Sequence, residues 1–235
     1  MKKILSVDTS SEDTSCAIVA ADSGEIFSVK NHQNKQSHAE SLFSLIEDAC
    51  LDAKTKINDI EYFVISSGPG SYTGVRIGLS ALKGVAFAAN KQVIGVSKFS
   101  AMLAKFLASA NKKDSEKITV LLDAKREEVF AQEFSSQTLK PQYEPKIIKA
   151  SDLKNLNNNN SVVLILSQEV EIFANYLPNN NYLKVENLSA ADFALAAIKI
   201  HKNLAFSSAS PLYIRQPDYV KSAKYQTTSV NKNVQ

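Results

Sequence analysis

The run Gly68-Pro69-Gly70-Ser71-Tyr72-Thr73-Gly74 lies between a strand-like stretch and a helix-like one, the layout of a phosphate-binding loop. Backbone N–H groups gathered at a helix start attract anions, and the Ser71 and Thr73 hydroxyls stand beside them. The run departs from both named phosphate loops. No Lys-Ser/Thr pair follows its last glycine, so it is not a Walker A loop. Its third glycine is Gly74 where a dinucleotide fingerprint needs one at Thr73, and the next strand ends on Ser97-Lys98 instead of an acidic residue. The plainer alternative is that Pro69 and Gly70 make a tight turn. Six of the seven glycines fall between Gly68 and Gly95. Glycine serves positive φ or close approach, so unusual backbone geometry is expected in this loop and its helix. The histidines offer less. His32, His38 and His201 form no H-E-x-x-H, and His38 reads as a surface residue at a helix start. Cys16 and Cys50 read as small buried apolar residues and not as a disulfide.

Stepping outward along the chain, residues 2–8, 14–21 and 25–31 read as strands, the last two joined by a turn at Asp22-Ser23-Gly24. Ser37 and Glu40 form a capping box for a helix over 37–54, with Leu42, Leu45, Ile46, Ala49 and Ala53 on one face. A strand at 61–66, the glycine loop, a helix at 73–89, a strand at 92–97 and a helix at 98–109 follow. After the polar stretch 109–117 come strands at 118–123, 127–134 and 144–150, a short irregular piece, and a strand at 162–167. A helix over 168–177, a strand at 182–186 and a helix at 189–204 complete the order. The tract 155–160 reads as a solvated loop and the tail after Tyr225 as disordered.

A three-strand meander followed by helix–strand–helix thus occurs twice. A single Rossmann unit would alternate strand and helix from its start. Two such halves facing a cleft describe an α/β actin-like, sugar-kinase-like (ASKHA, ribonuclease H-like) fold, with two lobes each carrying a mixed sheet and helices. The predicted lobes are 1–110, with the glycine loop and partner-binding helices, and a smaller 111–224, with 225–235 a tail. The 189–204 helix is a candidate to pack back on the first lobe.

The helix after the glycine loop carries two stripes. Tyr72, Val75, Leu79, Leu82 and Ala86 form an apolar one suited to a sheet. Gly74, Gly78, Ala81, Val85 and Ala88 form a second of small residues, which admits a close helix. That neighbour is either the 37–54 helix or a partner chain. Composition bounds the rest: 235 residues, 44% apolar and a net charge of +3 suit a soluble cytoplasmic protein with a real core. The mild charge makes nucleic acid at most a shared partner. No apolar run approaches the roughly 18 residues of a membrane span, and Met1-Lys2-Lys3 leads into a strand and not a signal peptide.

The block GPGSYTGVRIGLSALKGVAFA, with ILSVDTSSEDTSCAIV, SHAESLFSLIEDA, LLDAKREEVFAQEF and PLYIRQPDYVK, closely resembles the TsaB (YeaZ) family across nearly the whole chain. The resemblance implies the dimerisation subunit of the bacterial machinery for threonylcarbamoyladenosine in tRNA. It implies a paralogue of the catalytic subunit TsaD, which carries a metal and modifies the adenosine 3′ of the anticodon. Pairing with TsaD would run through the first two helices, with Leu42, Leu45, Ile46, Ala49, Gly74, Gly78, Ala81 and Val85 as the expected partner interface. The ATPase TsaE joins them, and tRNA is met through the complex. A homodimer of the isolated chain stays open.

The same resemblance places Lys98 and Met102 where the catalytic paralogue has two metal-binding histidines. An ammonium and a thioether cannot replace two imidazoles, so no metal site and no catalytic residue is expected. Asp8, Thr9 and Ser10 in the first hairpin and Asp123 in the second half are the possible vestigial nucleotide contacts, although Asp8 equally suits a structural cap. Lys125 and Arg126 stand where a phosphate-hugging turn needs small residues, and no glycine follows Gly95 to shape an adenosine loop. The expectation is therefore a pseudo-enzyme subunit, binding no cofactor alone while its partner subunits use ATP and metal. The alternative is an actin-fold ATPase or kinase with its own nucleotide site.

Overall fold

The computed structural model describes residues 1–32, 38–109, 115–155, 161–173, 175–177, 182–200 and 209–215. Strands Lys3–Asp8 (β1), Thr14–Ala20 (β2) and Ile26–His32 (β3) form an antiparallel meander. Ile60–Ser66 (β4) and Val93–Val96 (β5) then add in parallel beside β1, giving the order β3-β2-β1-β4-β5. Strands buried on both faces need layers above and below, and β2 is buried along its whole length. Helices His38–Asp52 (α1) and Tyr72–Ala88 (α2) cover one face, packed side by side.

The second half repeats this plan. Lys117–Asp123 (β6), Glu128–Ser135 (β7) and Lys146–Lys149 (β8) make the meander, and Ser161–Leu166 (β9) and Leu183–Val185 (β10) extend it in parallel. The order β8-β7-β6-β9-β10 is that of the first sheet. The actin-like, ribonuclease H-like expectation is met: two mixed sheets, each wound the same way.

The halves exchange helices. Lys98–Ala108 (α3) follows β5, yet its Phe99, Met102, Leu103 and Phe106 join the core over β6 and β9. Ala190–Ile200 (α5), from the second half of the chain, buries Ala190, Phe193, Ala194 and Ala197 against Ile4, Ala17 and Val64 of the first sheet. The boundary near 110 therefore divides the sheets but not the packing. The helix expected over 168–177 shortens to one α turn, Val170–Phe173 (α4), after a 3-10 turn at Ser167–Glu169. Its start is pinned because the Asp123 N–H donates to Glu169 Oε2 at 3.0 Å, and a segment this short has little helical stability of its own. Cys16 and Cys50 are free and buried. Among the described residues no helix is long and apolar enough to cross a membrane. The Ser37 capping box, the 155–160 loop beyond its first residue, His201 and the tail lie outside the described residues, as does the His38 side chain.

Candidate functional site

The glycine loop and α2 lie directly on the β1–β2 hairpin. Ser71 N–H donates to the Ser10 carbonyl at 2.9 Å, and Thr9 Oγ1 donates to the Gly74 carbonyl at 2.7 Å. A Cβ on Gly70 would stand 2.1 Å from Ser10 O, one on Gly74 2.0 Å from Thr9 O, and one on Gly78 2.1 Å from Thr9 Oγ1. The helix thus approaches its own hairpin too closely for any side chain. This corrects the expected partner interface at Gly74 and Gly78: both are buried against Thr9, so the small-residue stripe there is internal packing. Leu42, Leu45, Ile46 and Ala49 are likewise in the core beneath α1, and Ala81 and Val85 pack against the same cluster, half-buried. The apolar spacing that marks these residues is the spacing a sheet-facing stripe requires.

What α1 and α2 turn outward is a different set. Phe43 and Leu51 project from α1, Leu51 at 77% exposure, and Phe87 projects from α2 at 85%. Gly84, one turn before Phe87, has open space where its Cβ would be. Sequence reasoning missed Phe43, Leu51 and Phe87 because it followed regular stripes, and these residues sit off them.

Between the two halves lies a cleft of about 1110 Å³, and it gathers the polar residues of both hairpins. Asp8 is buried, and its Oδ1 accepts from Ser10 N–H at 2.8 Å and Ser10 Oγ at 2.6 Å. Its Oδ2 accepts from Ser11 Oγ at 3.1 Å, and Ser11 Oγ in turn accepts from Lys98 Nζ at 3.1 Å. Asp8 therefore works as a turn cap, the structural reading of that residue. Ser10 Oγ also meets Ser66 Oγ at 2.9 Å. The first hairpin is tied to itself and to the glycine loop.

Asp123 occupies the matching place in the second half, where its Oδ1 accepts from Lys125 N–H at 2.8 Å and its Oδ2 pairs with Lys125 Nζ at 2.7 Å. The turn after it holds Lys125, Arg126 and Glu127 all at positive φ, 62°, 57° and 57°. Such a run is costly for residues with side chains. It carries Lys125 back onto Asp123, so the turn closes on itself. Glu169, which sequence reasoning did not mark, lines the same cleft. Burial pushes its carboxyl up to about 7, against the opposing pull of the Asp123 N–H and the Lys98 and Lys125 ammoniums.

Five carboxylates (Asp8, Glu12, Asp13, Asp123, Glu169) and three cations (Lys98, Lys125, Arg215) line this cleft. Lys98 is only 8% exposed at the α3 start, and Met102 is fully buried in the core over the second sheet. Lys98 and Met102 thus offer an ammonium in the cleft and a thioether outside it. They do not fit a divalent ion. Among the described residues no three His, Cys, Asp or Glu side chains gather as a metal-binding group.

A protein-family profile described as "TsaD: tRNA N6-adenosine threonylcarbamoyltransferase" matches residues 26–231. The Haemophilus influenzae protein named tRNA threonylcarbamoyladenosine biosynthesis protein TsaB is 29% identical over 130 residues, which is 54% of this chain and 51% of that relative. The match thus spans about half the length of that relative. The Buchnera aphidicola (subsp. Acyrthosiphon pisum) protein of the same name is 26% identical over 87% of this chain and 93% of its own. Among solved structures, YeaZ from Pseudomonas aeruginosa superposes with a TM-score of 0.72 at 20% identity, over 91% of this chain and all of that one. A polyphosphate/ATP-glucomannokinase from Arthrobacter sp. strain KM reaches 0.55 at 11% identity, over 86% and 99%, a likeness of fold alone. The TsaB-named relatives are similar over part or most of the chain, and the profile covers well over half of it: the chain belongs to the TsaD family that the profile describes.

Proposed function

We propose that this chain is a non-catalytic subunit in the threonylcarbamoylation of tRNA, at the adenosine 3′ of the anticodon, and that it acts by pairing with a TsaD-type catalytic chain and activating it. The observation that carries the reading is the exposed apolar set on the paired helices, Phe43 and Leu51 on α1 and Phe87 on α2, with Gly84 open one turn before Phe87. Large apolar side chains left exposed on two paired helices suit a protein contact. Burying one such side chain on association contributes about 1.5–3 kcal/mol. The cleft supports the non-catalytic half of the reading. Asp8 and Asp123 are each engaged by their own turns, and the Lys98 ammonium donates to Ser11 Oγ beside Asp8.

Under this reading the partner subunits, TsaD and the ATPase TsaE, use the metal and ATP, and tRNA is engaged through the assembled complex. A partner that binds one conformation of the catalytic chain shifts its population toward that state, to the extent of its differential affinity. The test is to mix the purified chain with its TsaD counterpart and measure complex mass and tRNA modification, alongside ATP turnover by the chain alone. A complex whose modification activity needs both proteins is the expected result. Steady ATP turnover by the isolated chain with magnesium would favour an actin-fold ATPase or kinase and overturn the proposal.

A further inference from the structure

The pairing surface and the tied-off hairpins leave one motif without a role, the PLYIR run at Pro211–Arg215. It belongs to a short irregular segment, 209–215, that touches both halves of the molecule. On the first half, Leu212 N–H donates to the Ser67 carbonyl at 2.8 Å, just before the glycine loop. Ala209 is buried there, and its Cα would stand 3.2 Å from a Cβ on Gly95, so Gly95 admits the segment. Arg76 of α2 donates from Nε to Tyr213 Oη at 2.6 Å, with its guanidinium 3.8 Å from the Tyr72 ring centre and 5.5 Å from that of Tyr213. On the second half, Arg215 pairs with Glu128 of β7 and lies 6.0 Å from the Phe130 ring centre. Leu212 and Ile214 pack against the core shared by α3, β6 and β9.

The side chains of the segment divide the labour by turns. Leu212 and Ile214 serve the core, while Tyr213 and Arg215 reach polar anchors, one on α2 and one on β7. All four residues line the cleft. We propose that segment 209–215 is a clasp that sets the opening of the cleft from within the chain, through the Tyr213–Arg76 anchor on one half and the Arg215–Glu128 anchor on the other. The two halves are then held together without any molecule in the cleft. Both anchors are partly exposed, and exposed ion pairs are individually weak. The clasp is therefore a local-opening device, released without unfolding either sheet.

The test is hydrogen exchange by mass spectrometry on the full chain alone, a measurement independent of any TsaD partner. In the Tyr213→Ala/Arg215→Ala variant, exchange at 8–13, 67–72 and 123–128 should rise at least about tenfold while β2 and β4 keep their protection, a sub-global opening. Faster exchange confined to 209–215, with the cleft segments unchanged, would overturn the proposal. A charge swap keeps the test decisive should that variant fail to fold. Arg215→Glu alone should raise exchange in the cleft segments, and Arg215→Glu with Glu128→Arg should restore it; no restoration would equally overturn the clasp.

Discussion

At the scale of single residues, the glycines of α2 divide into two kinds that the sequence alone does not separate. Gly74 faces the Thr9 carbonyl, which cannot move without distorting the hairpin, whereas Gly84 faces open space. Gly74→Ala should cost at least about 1–3 kcal/mol through overpacking. Gly84→Ala should instead stabilise the isolated chain by about 0.5–1 kcal/mol, since an exposed helical glycine gives up backbone entropy for nothing. Urea unfolding of the two variants checks both signs. Glu169 supplies a pH prediction. Its carboxyl titrates near 7 in the folded chain against an ordinary 4.5. Between those values the folded chain retains a proton that the unfolded chain has released, so this group's share of stability falls as pH rises through the window. Glu169→Gln keeps an acceptor for the Asp123 N–H and should flatten that slope, leaving the variant relatively more stable at pH 8 than at pH 5. An unchanged slope would mean that other groups set it.

At the scale of elements, α1 and α2 bury one set of side chains and expose another. Their inner faces, with Leu42, Leu45, Ala49, Leu79 and Leu82, hold the first sheet. Their outer faces leave Phe43, Leu51 and Phe87 in water. Phe87→Asp should therefore leave the unfolding of the isolated chain within about 0.5 kcal/mol, as surface changes do. Pairing with a TsaD counterpart should weaken on the order of ten- to a hundredfold, the loss of one buried aromatic. Analytical ultracentrifugation of the mixture reads the second effect and thermal unfolding the first. An equal loss of monomer stability would place Phe87 in the chain's own packing. Gly78→Leu cannot serve as a surface probe, because Thr9 Oγ1 occupies the space.

At the scale of the whole molecule, two sheets of one topology meet over a cleft in which Asp8 and Asp123 are engaged by their own turns. If no residue of this chain reacts, Asp8→Asn, which keeps one acceptor oxygen, should lower tRNA modification by the assembled complex less than about tenfold, or roughly 1.4 kcal/mol on the barrier. Asp123→Asn should behave alike. Single-turnover assays on complexes of verified mass measure this. A thousandfold loss from Asp8→Asn in an intact complex would instead reveal a working nucleotide site in the first hairpin.

Much of this architecture was legible in the residues. Short apolar runs bounded by turn residues gave the strands and 3.6-period stripes the helices, because burial imposes those patterns. The repeated order of elements then gave the two-lobed fold, and the Asp8–Ser11 run marked one wall of the cleft. Clustered glycines showed that something comes close to α2. What comes close is Thr9, sixty-five residues from Gly74, and only the tertiary structure brings them together. Glu169 carries no local signal either, since its environment arises when the turn after β9 meets Asp123. The same holds for α3 and α5, whose apolar stripes fit either sheet and were assigned by packing. Sequence periodicity records that a face is buried; which surface buries it, and which side chains are left outside, depends on contacts between distant residues that no local spacing encodes.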